Sequence, residues 1–513
     1  MKYLIGIDVG TQALRTVLFS AAGDKVAELS EAYPTHHVAP GRVEQDPELW
    51  WQALVKSLRR IAAQPGLDVD NIAAISYACS SCTVVVLDDR SRPLRPALLW
   101  MDERALKEAE EITRSNSPVL RYSGGKVSPQ WMLPKTLWLL RHEKGIFDQA
   151  FRIVEQTDFI TYRLTGQWTL SYNNLVAKWN YANPVNGWPE GFLDSVGLAE
   201  AKPKWPSRIL PVGARISKLD PAVAKETGLP ETILVVQGGI DSHAGMVGMS
   251  AVQDGDIAIV MGTSTVVMGQ SERPIFADIW GPYPDAVIAG AYTLGGGQTT
   301  TGSIIQWLVA SLAGAPADDL NRVLGSLEQK AASLPPGSDG LVALDHFQGN
   351  RTPLKDAKSR GAIWGLTLWH SMPHLFRAFL EANAFGTRHI LDNLKDHGYG
   401  IKRVFAGGGG ARSGLAVSIL ADVCGIDIQL VREGESTALG AAIWAGLGAG
   451  VFPNYTSAVQ KMVKLGEVVH AHKERKKLYD FYYDKYLRTY QQLSGLMHEV
   501  VDFESTMKSQ EAE

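Results

Sequence analysis

Tyr3-Leu4-Ile5-Gly6-Ile7-Asp8-Val9-Gly10-Thr11 is the stretch whose reading decides the fold. Residues 3–9 are nearly all apolar, the pattern of a central strand buried on both faces. The strand ends on a carboxylate and runs into Gly10-Thr11. A carboxylate at that place is costly unless it is paired or faces a cation. Mg²⁺ carried on nucleotide phosphates is a natural partner. Backbone N–H groups in a glycine-containing turn can also point at phosphate oxygens. The competing reading is an ordinary turn aspartate, and these nine residues alone do not separate the two.

Outward from this strand, residues 16–20 and 25–33 continue as a three-strand meander, with Gly23-Asp24 as the second turn. Leu49, Trp50, Leu54, Leu58 and Ile61 fall at helical spacing over 46–64, and 72–78 is another strand. Residues 117–230 read as helix-rich. A second α/β half begins near Thr232, with strands at 232–236, 256–260, 403–406 and 427–431. Helices are expected at 373–396, 415–424, 436–446 and 473–499. Length alone favours two domains, since 513 residues exceed what one core usually supports. The boundary is placed near residue 253.

Three later strands also end in glycine- or hydroxyl-rich turns: Gly238-Gly239-Ile240-Asp241, Gly262-Thr263-Ser264-Thr265 and Gly407-Gly408-Gly409-Gly410. Asp241 is suited either to cap the following helix or to accept a hydroxyl proton during phosphoryl transfer. Two familiar nucleotide motifs fail. Gly125-Lys126 lacks the rest of a P-loop, and Arg412-Ser413 stand where the last glycine of a dinucleotide fingerprint belongs.

Bulk properties exclude other classes. The net charge of −4 gives no general attraction to nucleic acid or to an anionic membrane. Asp8 interrupts any signal-peptide core at the start. The longest apolar stretch, 436–452, is rich in Gly and Ala and is expected to be a buried helix, not a membrane span. Three cysteines, Cys79, Cys82 and Cys424, form no disulfide framework and suit a reducing cytoplasm. No second cysteine pair completes a zinc site around Cys79 and Cys82.

Five motifs in order carry a resemblance. They are Gly6–Thr11, Gly238–Asp241, Met261–Ser264, Gly302-Ser303-Ile304-Ile305-Gln306-Trp307, and Gly408–Ser413 followed by Leu420-Ala421-Asp422. In these the chain resembles the FGGY carbohydrate kinases along essentially its whole length. The resemblance implies an α/β fold of two actin-like (ribonuclease H-like) domains, each with a five-stranded sheet, closing over ATP and a small sugar. Residues 1–253 would form the sugar and phosphate side, 254–500 the nucleotide side, and 501–513 a disordered tail. Asp8 would organise Mg²⁺. Thr11, Gly262 and Thr263 would meet the β- and γ-phosphates, and Gly302, Gln306, Gly409, Gly410 and Ser413 the adenosine. Asp241 would be the base, with Cys82 and Asp102 beside it on the sugar. A homodimer is common in the family.

Other stretches are similar to the D-ribulokinase branch: Lys178-Trp179-Asn180-Tyr181, Trp280-Gly281-Pro282-Tyr283 and Gly349-Asn350-Arg351-Thr352-Pro353-Leu354 among them. That branch has an acid where this chain has Cys79, and a thiol is a poor hydroxyl acceptor. Ribulose leads, with other pentuloses, a hexulose or a pentitol still open. Outside the family, an actin-like ATPase and an NAD-dependent dehydrogenase are the competing classes.

Overall fold

The computed structural model describes residues 2–511 apart from Ala315, Ala317, Asp318 and Glu433. Its first sheet is built on β1 (Tyr3–Val9), β2 (Ala13–Ser20), β3 (Lys25–Ala32), β4 (Ile72–Cys79) and β5 (Leu234–Val236). These lie in the order β3-β2-β1-β4-β5, with β1, β2 and β3 antiparallel and β4 and β5 parallel to β1. The second sheet repeats the arrangement with β6 (Asp256–Met261), β7 (Thr265–Ser271), β8 (Tyr292–Gln298), β9 (Arg403–Gly407) and β10 (Ile428–Val431) in the order β8-β7-β6-β9-β10. Each sheet has seven strands in all, because further short strands extend the five-stranded core. All strands of the first sheet precede residue 241, and all strands of the second follow residue 255. A doubly repeated meander-plus-parallel sheet is the actin-like architecture that the sequence resemblance implies.

Local chemistry explains the elements. β1 is buried along six of its seven residues because helices cover both faces. The helix Pro47–Ala62 starts at Asp46, whose side chain accepts the Glu48 N–H, with proline at the first helical position. It lays Trp50, Leu54, Leu58 and Ile61 into the first core.

The two halves are joined by α1 (Asp241–Gly248) and α2 (Ser436–Gly448). Helix α2 belongs by sequence to the second half, yet it packs on α1 and on β1 and β4 of the first. Its Ala438, Ala441, Ala442 and Ala445 share one core with Leu4, Val17 and Ala74 on one side and Ala258 and Phe405 on the other. Small residues are required there. A Cβ on Gly440 would fall on the Ala244 carbonyl oxygen, and one on Gly6 would fall on the carbonyl of Ala438.

The C-terminus corrects one expectation. Helix α3 runs Lys473–Glu511, so residues 501–511 continue it where a disordered tail was expected. Tyr479 and Tyr486 anchor it in the second core, and Lys358 Nζ donates to Asp502 at 2.9 Å far along its length. Residues 512 and 513 lie outside the described residues.

The backbone contact at Gly440 yields a prediction. Gly440→Val must force α1 and α2 apart, and overpacking of this kind costs about 1–3 kcal/mol or more. A lowered melting temperature is expected by calorimetry, with nucleotide binding lost alongside, since both helices hold the site.

Candidate active site

Two cavities lie against the ends of the central strands. The first encloses about 340 Å³ and takes walls from both halves. The second, of about 510 Å³, lies wholly in the C-terminal half.

Asp241 stands in the first cavity as the first residue of α1, after Gly238-Gly239. Gly238 must be glycine, because a Cβ would strike the Tyr77 backbone of β4. The cap position of α1 is Ile240, so Asp241 is not its N-cap; its carboxylate accepts the N–H of the next residue, Ser242, at 2.6 Å. Burial pushes its pKa up to about 6, opposed by the Ser242 N–H, the Lys178 ammonium and the Ser80 hydroxyl. Among the described residues it is the one carboxylate lining this cavity.

The backbone around Asp241 is clamped from the helix Tyr172–Lys178. Asn173 Oδ1 accepts the Ile240 N–H at 2.9 Å, and Asn173 Nδ2 donates to His243 Nδ1 at 2.7 Å. His243 is buried, and desolvation together with Lys178 lowers its pKa to about 3. It is therefore neutral, which suits a packing and hydrogen-bonding residue and not a second base. Lys178 ends the same helix. Its ammonium sits 5.2 Å from the Trp131 ring, 5.3 Å from Trp280 and 5.9 Å from Tyr283, a cation enclosed by aromatic faces.

Cys82 lines the cavity on a turn held with φ of 66°. The Cys82 N–H donates to Glu155 at 2.7 Å, and Lys135 Nζ donates to the Cys82 carbonyl at 2.9 Å. Burial pushes its thiol up to about 12, so it is an uncharged contact surface. The structure does not bring Cys79 to the cavity. It is wholly buried at the end of β4, where burial pushes its thiol pKa well up and the Thr157 side chain opposes that shift. Asp102 is a second correction. Its carboxylate is inaccessible and doubly engaged by Arg104, at 2.8 and 2.7 Å, and by the Val43 N–H at 2.7 Å. It braces the loop that presents Trp100 and has no surface left for a sugar.

Asp8 ends β1 with 13% of its side chain accessible. Burial and then the Asp241 charge push its pKa up to about 7, against the Arg15 guanidinium 3.4 Å away. Two buried acids that repel each other fit a shared cation. Among the described residues no three His, Cys, Asp or Glu side chains cluster as a metal cage. The donor set therefore fits a divalent ion bound chiefly by nucleotide phosphates and waters, as Mg²⁺ prefers.

Thr11 opens on the first cavity, its hydroxyl accepting the Trp100 Nε1–H at 2.9 Å. Gly262, Thr263, Gly302, Gln306, Gly409, Gly410 and Ser413 all line the second. The turns interlock: the Thr301 and Ser303 N–H groups donate to the Thr263 carbonyl at 3.0 and 3.1 Å. Ser413 caps the helix Gly414–Cys424 by accepting the Ala416 N–H and donates to Glu328 at 2.7 Å. A concave pocket with apolar walls, such as Phe376 and Leu380, beside hydroxyl and glycine turns is suited to a purine with its phosphates.

Comparison with known proteins agrees with this geometry. The FGGY family of carbohydrate kinases matches twice, its N-terminal domain over residues 3–248 and its C-terminal domain over 257–449. The chain belongs to the FGGY family of carbohydrate kinases. It is 32% identical to an FGGY carbohydrate kinase domain-containing protein of Xenopus laevis over 96% of this chain and 98% of that one. It is 30% identical to a ribulokinase of Geobacillus thermodenitrificans, over 91% and 89%. The crystal structure of a xylulose kinase from Rhodospirillum rubrum superposes with a TM-score of 0.85 at 27% identity, over 97% and 100%. This FGGY chain is accordingly an ATP-dependent sugar phosphotransferase. Among the described residues no helix is long and apolar enough to cross a membrane.

Sequence reasoning gave no role to Lys178, Trp131, Trp280 or Arg351, all of which line the first cavity. The signal was present for three of them, in the ribulokinase-like stretches that contain Lys178, Trp280 and Arg351.

The raised acid at Asp8 has a thermodynamic consequence. A carboxyl whose folded pKa lies above its unfolded value keeps its proton longer in the fold, so stability falls as pH rises between about 3.8 and about 7. Without nucleotide or metal, Asp8→Asn should melt above wild type at about pH 8. The gap should narrow toward about pH 5. Paired melts in chelator at the two pH values check this; a variant that melts lower at the higher pH would contradict the buried-acid reading.

Proposed function

We propose that this enzyme transfers the γ-phosphoryl group of ATP to a hydroxyl of a ketopentose such as D-ribulose, with Asp241 as the base. The observation that carries the reading is Asp241 itself. It is the cavity's lining carboxylate, ionised above about pH 6, at the start of a helix whose backbone is clamped by Asn173.

In the proposed reaction the sugar lies against Trp131, Trp280 and Cys82, with the attacked hydroxyl turned to Asp241. The carboxylate accepts the hydroxyl proton as the new O–P bond forms and the bond to the leaving β-phosphate oxygen breaks. Lys178 neutralises part of the charge on Asp241 and on the sugar oxygens. Thr11 and Thr263, on facing turns, hold the phosphates in line, and the glycines at 262, 302, 409 and 410 admit the nucleotide. Mg²⁺ bound through Asp8 would supply charge neutralisation to the phosphates. Most of the acceleration then comes from positioning and electrostatics, as expected for phosphoryl transfer. D-ribulose is favoured by the relatives named ribulokinase and by the stretches around Lys178, Trp280 and Arg351. A panel of ketoses and polyols with an ATP-coupled assay tests the substrate, and glycerol as the best acceptor would overturn the ketopentose reading.

Asp241→Asn keeps shape and removes the base. A kcat loss of about 10²–10⁴ is expected, with nucleotide Kd nearly unchanged. A variant within about threefold of wild type, far below the range for a base, would remove the assignment. In the wild type, kcat/KM should fall as pH drops through about 6, as Asp241 takes up a proton.

A further inference from the structure

Arg351 is the one charged side chain that the C-terminal half contributes to the sugar cavity; Ser264, Val266, Met268, Trp280 and Tyr283 are its other contributions. Its backbone is fixed on both sides. Asn350 pairs with Asp356 through two backbone hydrogen bonds of 2.8 and 2.9 Å. The Thr352 hydroxyl accepts the Gly297 N–H at 2.8 Å and donates to the Gly297 carbonyl at 3.2 Å, tying the loop to β8. The guanidinium is oriented by two indoles, 5.8 Å from Trp100 of the N-terminal half and 6.0 Å from Trp280. Aromatic faces orient a guanidinium but accept none of its five N–H donors in the plane. Among the described residues no carboxylate lies within ion-pair distance of Arg351 and no acceptor is hydrogen-bonded to it. Burial lowers its pKa, and the charge of Glu103 in the N-terminal half opposes that shift. The guanidinium is held by its loop and two indoles, with no protein acceptor hydrogen-bonded to it among the described residues, so its fork of donors is available to a ligand in the cavity.

We propose that Arg351 binds hydroxyl oxygens of the sugar, as the charged contact from the C-terminal wall opposite Asp241 and Lys178. The inference rests on the sugar-kinase reading of the cavity. The contact spans the cleft because the sugar's other polar partners, Asp241 and Lys178, stand on the N-terminal wall. It also reaches the phosphate turn, since the indole that Arg351 covers donates its N–H to Thr11 Oγ1.

The test compares wild type with Arg351→Met and Arg351→Lys, on the ketose or polyol that the wild type turns over best. Hydrogen bonds to a charged group predict that Arg351→Met raises the sugar KM by about tenfold to hundredfold while nucleotide Kd stays within about twofold. Arg351→Lys, which keeps the charge without the planar fork, should fall between. Tryptophan emission gives a second readout that needs no turnover. Sugar should shift it in the wild type, through Trp100 and Trp280, and much less in Arg351→Met. Should Arg351→Met melt well below wild type, Arg351→Gln, a shorter side chain that keeps amide donors but loses the charge, serves in its place. A sugar KM matched within about twofold by the variant, in an active wild type, overturns the contact and leaves the kinase assignment standing. A wild type that phosphorylates no sugar overturns the substrate reading on which the contact rests.

Discussion

The structure depends on one backbone contact, the approach of Gly440 in α2 to the carbonyl of Ala244 in α1. Helix α2 comes from the second half of the chain and beds under the first sheet, where Gly6 of β1 admits it. Asp8 ends that same strand, and Asp241 begins the helix on which α2 lies. A single small-residue helix thus fixes the spacing of the two acids and the position of one half on the other. Its composition follows from that duty. At Gly440 a side chain would hold the backbones apart, while Leu439, Ile443 and Trp444 are buried on the helix's other sides, so the segment reads as a long apolar run without a polar face. That pattern suits a helix buried on all sides as well as it suits a membrane span.

The site built on this contact is electrically incomplete in a consistent way. Asp8 and Asp241 each hold a proton more tightly than a free carboxyl, because burial opposes the ionisation of both and the Asp241 charge further opposes that of Asp8. Lys178 has aromatic faces around it, and Arg351 has two indoles and, among the described residues, no hydrogen-bonded acceptor. Left alone, such groups reduce stability. A phosphate–metal complex would relieve the acids, and sugar oxygens would relieve the cations. Preorganised charge that becomes favourable only when reactants arrive is the arrangement that lowers a transition state without binding the ground state equally.

The parts legible in the sequence are those encoded locally. A buried strand ending in a glycine turn shows in nine consecutive residues, as at Gly6–Thr11, and the nucleotide turns at Gly262-Thr263 and Gly408–Ser413 are of the same kind. Backbone N–H groups are what such turns offer a phosphate, so their residue types follow from the turn itself. Lys178 and Arg351 are different. Each occupies a place set by contacts distant in sequence: Lys178 among Trp131, Trp280 and Tyr283, and Arg351 between Trp100 and Trp280. No spacing rule announces them. Asp102 was placed on the sugar by resemblance alone, and a resemblance in residue type does not say which way a side chain turns; two N–H groups of the Arg104 guanidinium and the Val43 amide claim its oxygens. The end of α3 was misread because a polar composition resembles disorder, whereas the tyrosines of the same helix are anchored in the second core.

Cys79 shows how sugar choice is divided in this fold. It follows Ala78 on β4, and its thiol points into protein toward Thr157. The charges of Asp241, Asp8 and Asp158 all oppose its ionisation. An aspartate in its place would be a further buried acid among those three and would hold its proton or push them to hold theirs. It would alter the base at Asp241 before it touched a sugar. Selectivity must therefore come from groups that reach the cavity: Cys82 and Trp131 on one wall, Trp280 and Arg351 on the other, with Lys178 between. Because the two walls belong to different halves, a sugar must suit both of them, and the proposed contact from Arg351 is the charged part of the fit that the C-terminal half supplies.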